Sequence, residues 1–241
     1  MIASDAEELN KLAAAKFVSL ARDAIKNKGR FSVALAGGST PKGLYKLLAT
    51  DKFCALLDWT KIYFFFGDER NVLPFDAESN FRMANENLLQ PLKIGAGNIF
   101  RWQTELQNAE TIAEKYEQTL KNFFNLRENE FPRFDLILLG MGEDGHTASL
   151  FPFTEALNEK NKIAVADRVE KLNTTRLTLS FPLINNAANI MFLVSGENKA
   201  EVLRAVLLGE TEPEKYPSQN VKPKNGNLFW LLDEQAAQLL A

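Results

Sequence analysis

The sequence predicts an α/β fold, a mainly parallel sheet with helices on both faces. Two observations predict it. Short apolar runs alternate with longer stretches of helical periodicity along the chain, the habit of a parallel sheet covered by its connecting helices. Four of the apolar runs also end in loops rich in glycine, serine or charge: AGGST, GDERN, GMGEDGH and VSGENK. In open α/β sheets ligands sit beyond the carboxyl ends of the strands, so all four loops belong on one functional edge. Strand-to-helix turns need glycine in any case, but that does not explain why charged residues and the sole histidine gather in the same class of loop.

The elements follow in order. Ser4 and Glu7 have capping-box spacing, and Leu9, Leu12, Ala13, Phe17, Leu20 and Ala24 then recur at helical intervals, giving an amphipathic helix over 5–27. FSVALAGG (31–38) is a strand running into glycines. PKGLYKLLAT opens a helix with Pro41 in its first turn and Ser39 or Thr40 as N-cap. KIYFFFGDER (61–70) is a second buried strand ending in a charged loop, and Ser79 caps a helix through Leu89. Residues 104–124 form another helix, and FDLILLGMG (134–142) a third strand. RLTLSF (176–181), NIMFLVSG (189–196) and NLFWLLD (227–233) are further strands. ENKAEVLRAVLLG is a helix stopped by Gly209, and a last short helix starts at Glu234. There is no internal repeat and no Ser/Gly-rich linker, so 1–241 reads as a single domain, with 46% hydrophobic residues to fill its core.

A formal net charge of −3 argues against a nucleic-acid binder. It leaves room for a small anion held by a local cluster of Arg and Lys. Cys54 is the lone cysteine, so no intramolecular disulfide forms, which suits a reducing cytosol. The N-terminus is acidic where a signal peptide would be basic and then apolar, and no run reaches bilayer length. The expectation is a cytoplasmic protein that does not engage membranes, acting as monomer or homodimer.

GGSTPKG (37–43) places Gly37, Gly38, Ser39 and Thr40 between a strand and a helix, where free N–H groups and the positive helix end attract phosphate. It is neither GxxxxGK[ST] nor GxGxxG, and a plain helix cap explains it equally well. FFFGDER puts Asp68, Glu69 and Arg70 directly after an apolar strand. An arginine there can stabilise a developing oxyanion, and Asp68 is placed to orient Arg70 or His146. A structural ion pair is the plainer reading. His146, in GMGEDGHTASLFP, is the only histidine of 241 residues and is flanked by Asp144 and Thr147. Its ordinary pKa suits proton transfer near neutrality, and a short helix expected at 147–150 would keep it a neutral base. An isolated histidine is also often structural. Arg176 begins a strand and Lys199 a helix. Each alone is a surface charge, but together, facing 37–40, they would complete a phosphate clamp. One histidine and one cysteine build no ordinary zinc site, and no GxSxG elbow occurs. A histidine acting on water is the simplest remaining chemistry.

AGGSTPKGLY, FFFGDERNVLPFDAESNFRMA and LLGMGEDGHTASLFP resemble, in order, the three signature segments of the 6-phosphogluconolactonase family. RLTLSFPLINNA, LVSGENKAEVL and NLFWLLDEQAA fit the same pattern, so the resemblance spans nearly the whole chain. It implies a Rossmann-like fold shared with glucosamine-6-phosphate deaminases and ribose-5-phosphate isomerases. It implies hydrolysis of a phosphosugar lactone, 6-phospho-D-glucono-1,5-lactone, to 6-phospho-D-gluconate in the oxidative pentose phosphate pathway, without metal or organic cofactor. His146 matches the family's general base and Arg70 the arginine near the substrate's oxygens. Gly38, Ser39 and Thr40 match the loop near the phosphate, with Arg176 and Lys199 as its basic partners. Asp68 and Asp144 match positions close to the site, where orientation rather than chemistry is expected. One departure stands out. Relatives carry a short strand before the first helix, but here only Met1–Ala3 precede Ser4.

Two alternatives remain at this stage. Amino-sugar-phosphate deaminases and isomerases of the same fold also carry a DGH segment, but theirs continues toward IAFNEP and resembles MDEY where this chain has GDER. Non-catalytic sugar-phosphate sensors of this fold often add a DNA-binding domain, for which this chain has no room.

Overall fold

The computed structural model describes residues 1–240. Its elements are β1 (Ile2–Ala3), α1 (Ala6–Lys28), β2 (Phe31–Leu35), α2 (Ser39–Leu48), α3 (Asp51–Cys54), β3 (Ile62–Phe66), β4 (Asp68–Arg70), α4 (Asn80–Ala84) and α5 (Ala109–Phe124). There follow β5 (Leu136–Leu139), β6 (Ala164–Val169), β7 (Thr174–Leu179), α6 (Phe181–Ile184), β8 (Asn189–Val194), α7 (Ala200–Leu208), β9 (Asn227–Asp233) and α8 (Glu234–Ala237). Six strands form one sheet in the order β1-β9-β8-β5-β2-β3, and every pair in it is parallel. The expected parallel α/β architecture is present. The N-terminal strand in doubt is also present, as two residues that pair Ile2 with Leu232 and Ala3 with Asp233.

The central strands are buried on both faces, which is why FSVAL and LILL carry no polar alternation. α1 covers them with Leu9, Ala13, Ala14, Phe17, Val18, Ala21 and Ala24. Its cap lies one residue later than the sequence suggests. Asp5, not Ser4, accepts from the Glu8 amide at 2.8 Å. The carboxylate is the better partner for the positive end of a 23-residue helix.

The main departure is a second sheet, three antiparallel strands in the order β4-β7-β6. GDER was expected as a loop and RLTLSF as another strand of the parallel sheet. Instead Asp68–Arg70 pairs with Arg176–Thr178, and β6, unforeseen, pairs with β7 on its other side. Gly67 joins the two sheets. Its amide still donates to the Leu35 carbonyl, while its own carbonyl accepts from Leu179 of the second sheet, both at 2.9 Å. Three smaller corrections follow from local chemistry. The 104–124 helix starts at Ala109, capped by Asn108, because Gln107 turns to φ 64 and breaks the earlier turn. The Ser79-capped helix widens into a π turn over Asn85–Leu89. The 147–150 helix is absent: Ala148 sits at φ 48, and Thr147 and Leu150 close a tight bridge.

Two buried tyrosines secure the functional edge. Tyr45 donates to the Ala36 carbonyl and accepts from the Ala36 amide, and Tyr116 does the same for Phe66. Each phenol satisfies backbone groups just where β2 and β3 run out of ladder partners. Burial pushes both phenol pKa values far up, so they remain neutral donors. No helix among the described residues is long and apolar enough to cross a membrane.

Candidate active site

The turn after β5 is built to present one ring. The Gly142 amide donates to the His146 carbonyl at 2.9 Å, the Gly145 amide donates to the Gly142 carbonyl at 3.1 Å, and Thr147 Oγ1 donates to the Gly140 carbonyl. Gly145 takes φ +79, which favours glycine. From a distant segment, Ser218 donates to the Gly145 carbonyl through both its amide and its hydroxyl. A Cβ on Gly142 would lie 2.1 Å from His146 Cε1 and Nδ1, so glycine is required for the ring to occupy its place.

The imidazole stacks on Phe151, ring centres 4.2 Å apart. Its Nδ1 lies 2.5 Å from Asp144 Oδ1, and Lys171 Nζ donates to Asp144 Oδ2 at 3.0 Å. Burial would raise the Asp144 carboxyl pKa. The hydrogen bond and charge of His146, with Lys171 behind them, outweigh burial and hold it well below the usual carboxylate range. An ionised Asp144 only accepts, so Nδ1 carries a proton, and in the neutral ring Nε2 is the nitrogen that presents a lone pair. Nε2 has no hydrogen-bond partner among the described residues. Asp144, and not Asp68, is therefore the partner of His146. Asp68 is buried and accepts from Ser149 Oγ at 2.7 Å. The expected helix dipole is absent beneath the ring. Asp144 instead fixes which ring nitrogen carries the proton.

His146, Asp144, Asp68, Arg70, Arg176 and Lys199 all line one cavity of about 500 Å³. Arg70 on β4 and Arg176 on β7 are direct cross-strand partners. Like charges opposite one another destabilise an antiparallel pair. The half-buried Arg176 has its pKa lowered, first by burial and then by the charge of Arg70. Arg70 is steadied by donating from Nη1 to the Glu78 carbonyl. Two guanidiniums held together beside a lysine make a strong anion site. Lys199 ends the 3₁₀ turn Glu197–Lys199 that leads into α7. Asn198 ties this turn to the histidine loop by donating to Glu143 Oε1 at 2.6 Å.

Gly37, Gly38, Ser39 and Thr40 stand at the carboxyl end of β2 and are not among the cavity's lining residues. Neither Ser39 nor Thr40 caps α2. Gly38 does, at φ 102 and without a side-chain bond, which leaves the helix's first amides free. Gly37 serves packing: a Cβ there would meet Asn80 Oδ1 at 2.0 Å, and Asn80 Nδ2 donates to the Asp68 carbonyl.

Three contributors had no role assigned from the sequence. Glu69 is buried, and its carboxylate accepts from the amides of Arg70, Asn80 and Phe81 and from Ser79 Oγ. It fixes GDER to the start of α4. Lys171 and Phe151 frame the Asp144–His146 pair. GDER itself was the available signal for Glu69. Lys171 sits in a hairpin whose first strand, β6, went unrecognised.

A family model described as "Glucosamine-6-phosphate isomerases/6-phosphogluconolactonase" matches residues 4–230. A 6-phosphogluconolactonase of Nostoc sp. is 44% identical over 218 residues, 90% of this chain and 88% of that protein. A 6-phosphogluconolactonase of Chlamydia pneumoniae is 39% identical, covering 93% and 84%. Among solved structures, the 6-phosphogluconolactonase of Trypanosoma brucei superposes with a TM-score of 0.89 at 30% identity, covering 100% of this chain and 98% of that one. A monomeric glucosamine-6-phosphate deaminase, at 24% identity and a TM-score of 0.81, shares the fold. By family model, sequence and structure alike, the chain belongs to the glucosamine-6-phosphate isomerase/6-phosphogluconolactonase family.

Proposed function

We propose that this chain hydrolyses 6-phospho-D-glucono-1,5-lactone to 6-phospho-D-gluconate in the pentose phosphate pathway, with His146 as general base on water. Lactonase relatives at 44% and 39% identity across most of their length support the reaction. The observation that carries the mechanism is the lone imidazole with Nδ1 bound to Asp144 and Nε2 free, in a cavity walled by four cations, Arg70, Lys171, Arg176 and Lys199.

Nε2 takes a proton from water as the oxygen attacks the lactone carbonyl. The new C–O bond turns that carbonyl into an anionic tetrahedral centre, which the Arg70 charge favours. Collapse breaks the bond to the ring oxygen, and the imidazolium returns its proton there, freeing the hydroxy acid. Asp144 stabilises the transient imidazolium and keeps the ring from turning. Asp68 holds Ser149 and so the loop behind His146. Arg176 and Lys199 receive the phosphate. A cytoplasmic location fits the single free cysteine.

Hydrolysis of freshly made lactone, followed through 6-phosphogluconate dehydrogenase against an enzyme-free blank, tests the activity. A large excess over the blank is expected, and no excess from folded protein would overturn the reading. Arg176→Ala and Lys199→Ala are each expected to raise KM roughly 10- to 100-fold, the value of a charged hydrogen bond, with kcat little changed. Loss of kcat at constant KM would remove both residues from the phosphate.

A further inference from the structure

The tip of the β6–β7 hairpin reaches across the sheet to the back of the catalytic pair. Glu170–Leu172 makes a single 3₁₀ turn, closed by Asn173 at φ 47, and it carries Lys171 to Asp144. Asp144 is then held on both oxygens, Oδ1 by His146 and Oδ2 by Lys171. The Lys171 side chain is 70% exposed, whereas that of Asp144 is 24% exposed. A largely exposed lysine thus reaches an enclosed carboxylate. Lys171 also lines the wall between the catalytic cavity and a larger one of about 1320 Å³, which share Asp144, Phe151 and Lys171.

We propose that Lys171 is a positioning residue for the lactonase reaction: it locks Asp144 in the orientation that fixes the His146 ring and balances the carboxylate charge beside it. The inference rests on His146 being the base. An aspartate held at one oxygen only can rock about its terminal torsion while its bond to Nδ1 persists, which loosens the aim of the ring. A second donor on Oδ2 removes that freedom. The ammonium also opposes the stabilisation that Asp144 gives the imidazolium. The other charged groups lining the cavity are Asp68, Glu143, Arg70, Arg176 and Lys199. None of these is bonded to Asp144, so Lys171 is its direct cationic partner among the described residues.

The test uses the intact protein and Lys171→Met, with Lys171→Arg as the conservative control. His146 is the only histidine, so its imidazole proton gives a single NMR titration curve that needs no turnover. In Lys171→Met that midpoint is expected to move up by roughly half a unit, because loss of a screened cation makes the imidazolium easier to form. The acidic limb of kcat is expected to move with it. Below the plateau kcat falls further, and on the plateau it falls about fivefold, the most an exposed pair is worth. KM is expected to stay within about twofold, and Lys171→Arg to restore both midpoint and rate.

A rise in KM with kcat intact would make Lys171 a phosphate contact instead and overturn the proposal. An unmoved midpoint would reduce the bond to a surface ion pair. A lower rate at an unmoved midpoint would reduce it to a structural prop. Absence of lactonase activity in the unsubstituted protein would defeat the functional reading, whereas the NMR midpoint would still report whether Lys171 acts on the imidazole.

Discussion

His146→Asn is expected to lower kcat by about 10²–10⁴-fold, the range of positioned general-base catalysis. Asparagine is close in size and can still donate to Asp144, but it cannot take a proton from water near neutral pH. Phosphosugar binding is expected to persist, because Arg176 and Lys199 are untouched. The substitution also removes the only imidazole in the chain, so the residual rate should lose its dependence on pH between about 5 and 8. Calorimetric binding of 6-phosphogluconate alongside the coupled assay separates the two effects. Unchanged turnover would remove His146 from the chemistry altogether.

Gly142→Ala is expected to be nearly as damaging although it removes no side chain of the site. The added methyl would sit 2.1 Å from two atoms of the imidazole ring. Either the ring leaves Asp144 and Phe151, or the loop that bonds Gly142 to His146 shifts. A displacement near 1 Å costs on the order of 10²-fold in rate, and this clash demands more. The loss should fall on kcat, since the arginines lie on other strands. The NMR signal of His146 reports the cause directly, because a ring moved off Phe151 and Asp144 changes its chemical shift. Full activity in Gly142→Ala would mean that the observed ring position is not the productive one.

The sequence made much of the parallel framework legible, because continuous apolar runs at strand length have few other readings. FSVAL, LILL and NIMFLV illustrate this. The second sheet was not legible. Thr174–Leu179 has the same apolar, β-branched character as the central strands, and nothing local says which sheet it joins. Ala164–Val169 mixes Asp167 and Arg168 into its run and so loses the strand signal altogether. Within the site, DGH and GDER supplied the candidates His146, Asp144, Asp68 and Arg70, and the structure brings them to one cavity with Arg176 and Lys199. Which carboxylate serves His146 was undecidable, because Asp68 and Asp144 differ only in tertiary placement. The apposition of Arg70 and Arg176 depends on an antiparallel register between segments about a hundred residues apart, and no spacing rule in a single sequence reports that.

The tyrosines at the strand ends bear on where the molecule opens. Strand termini commonly fray, and in this fold the termini lie beside the ligand-binding edge. Tyr45 and Tyr116 each hold both backbone groups of one residue past or at the end of the ladder, which moves the boundary of the rigid body outward to Ala36 and Phe66. Amide hydrogen exchange should find those two amides protected nearly as well as the strand centres. Opening that admits substrate is then confined to the segments beyond them, so entry and release need not draw on the global stability of the sheet.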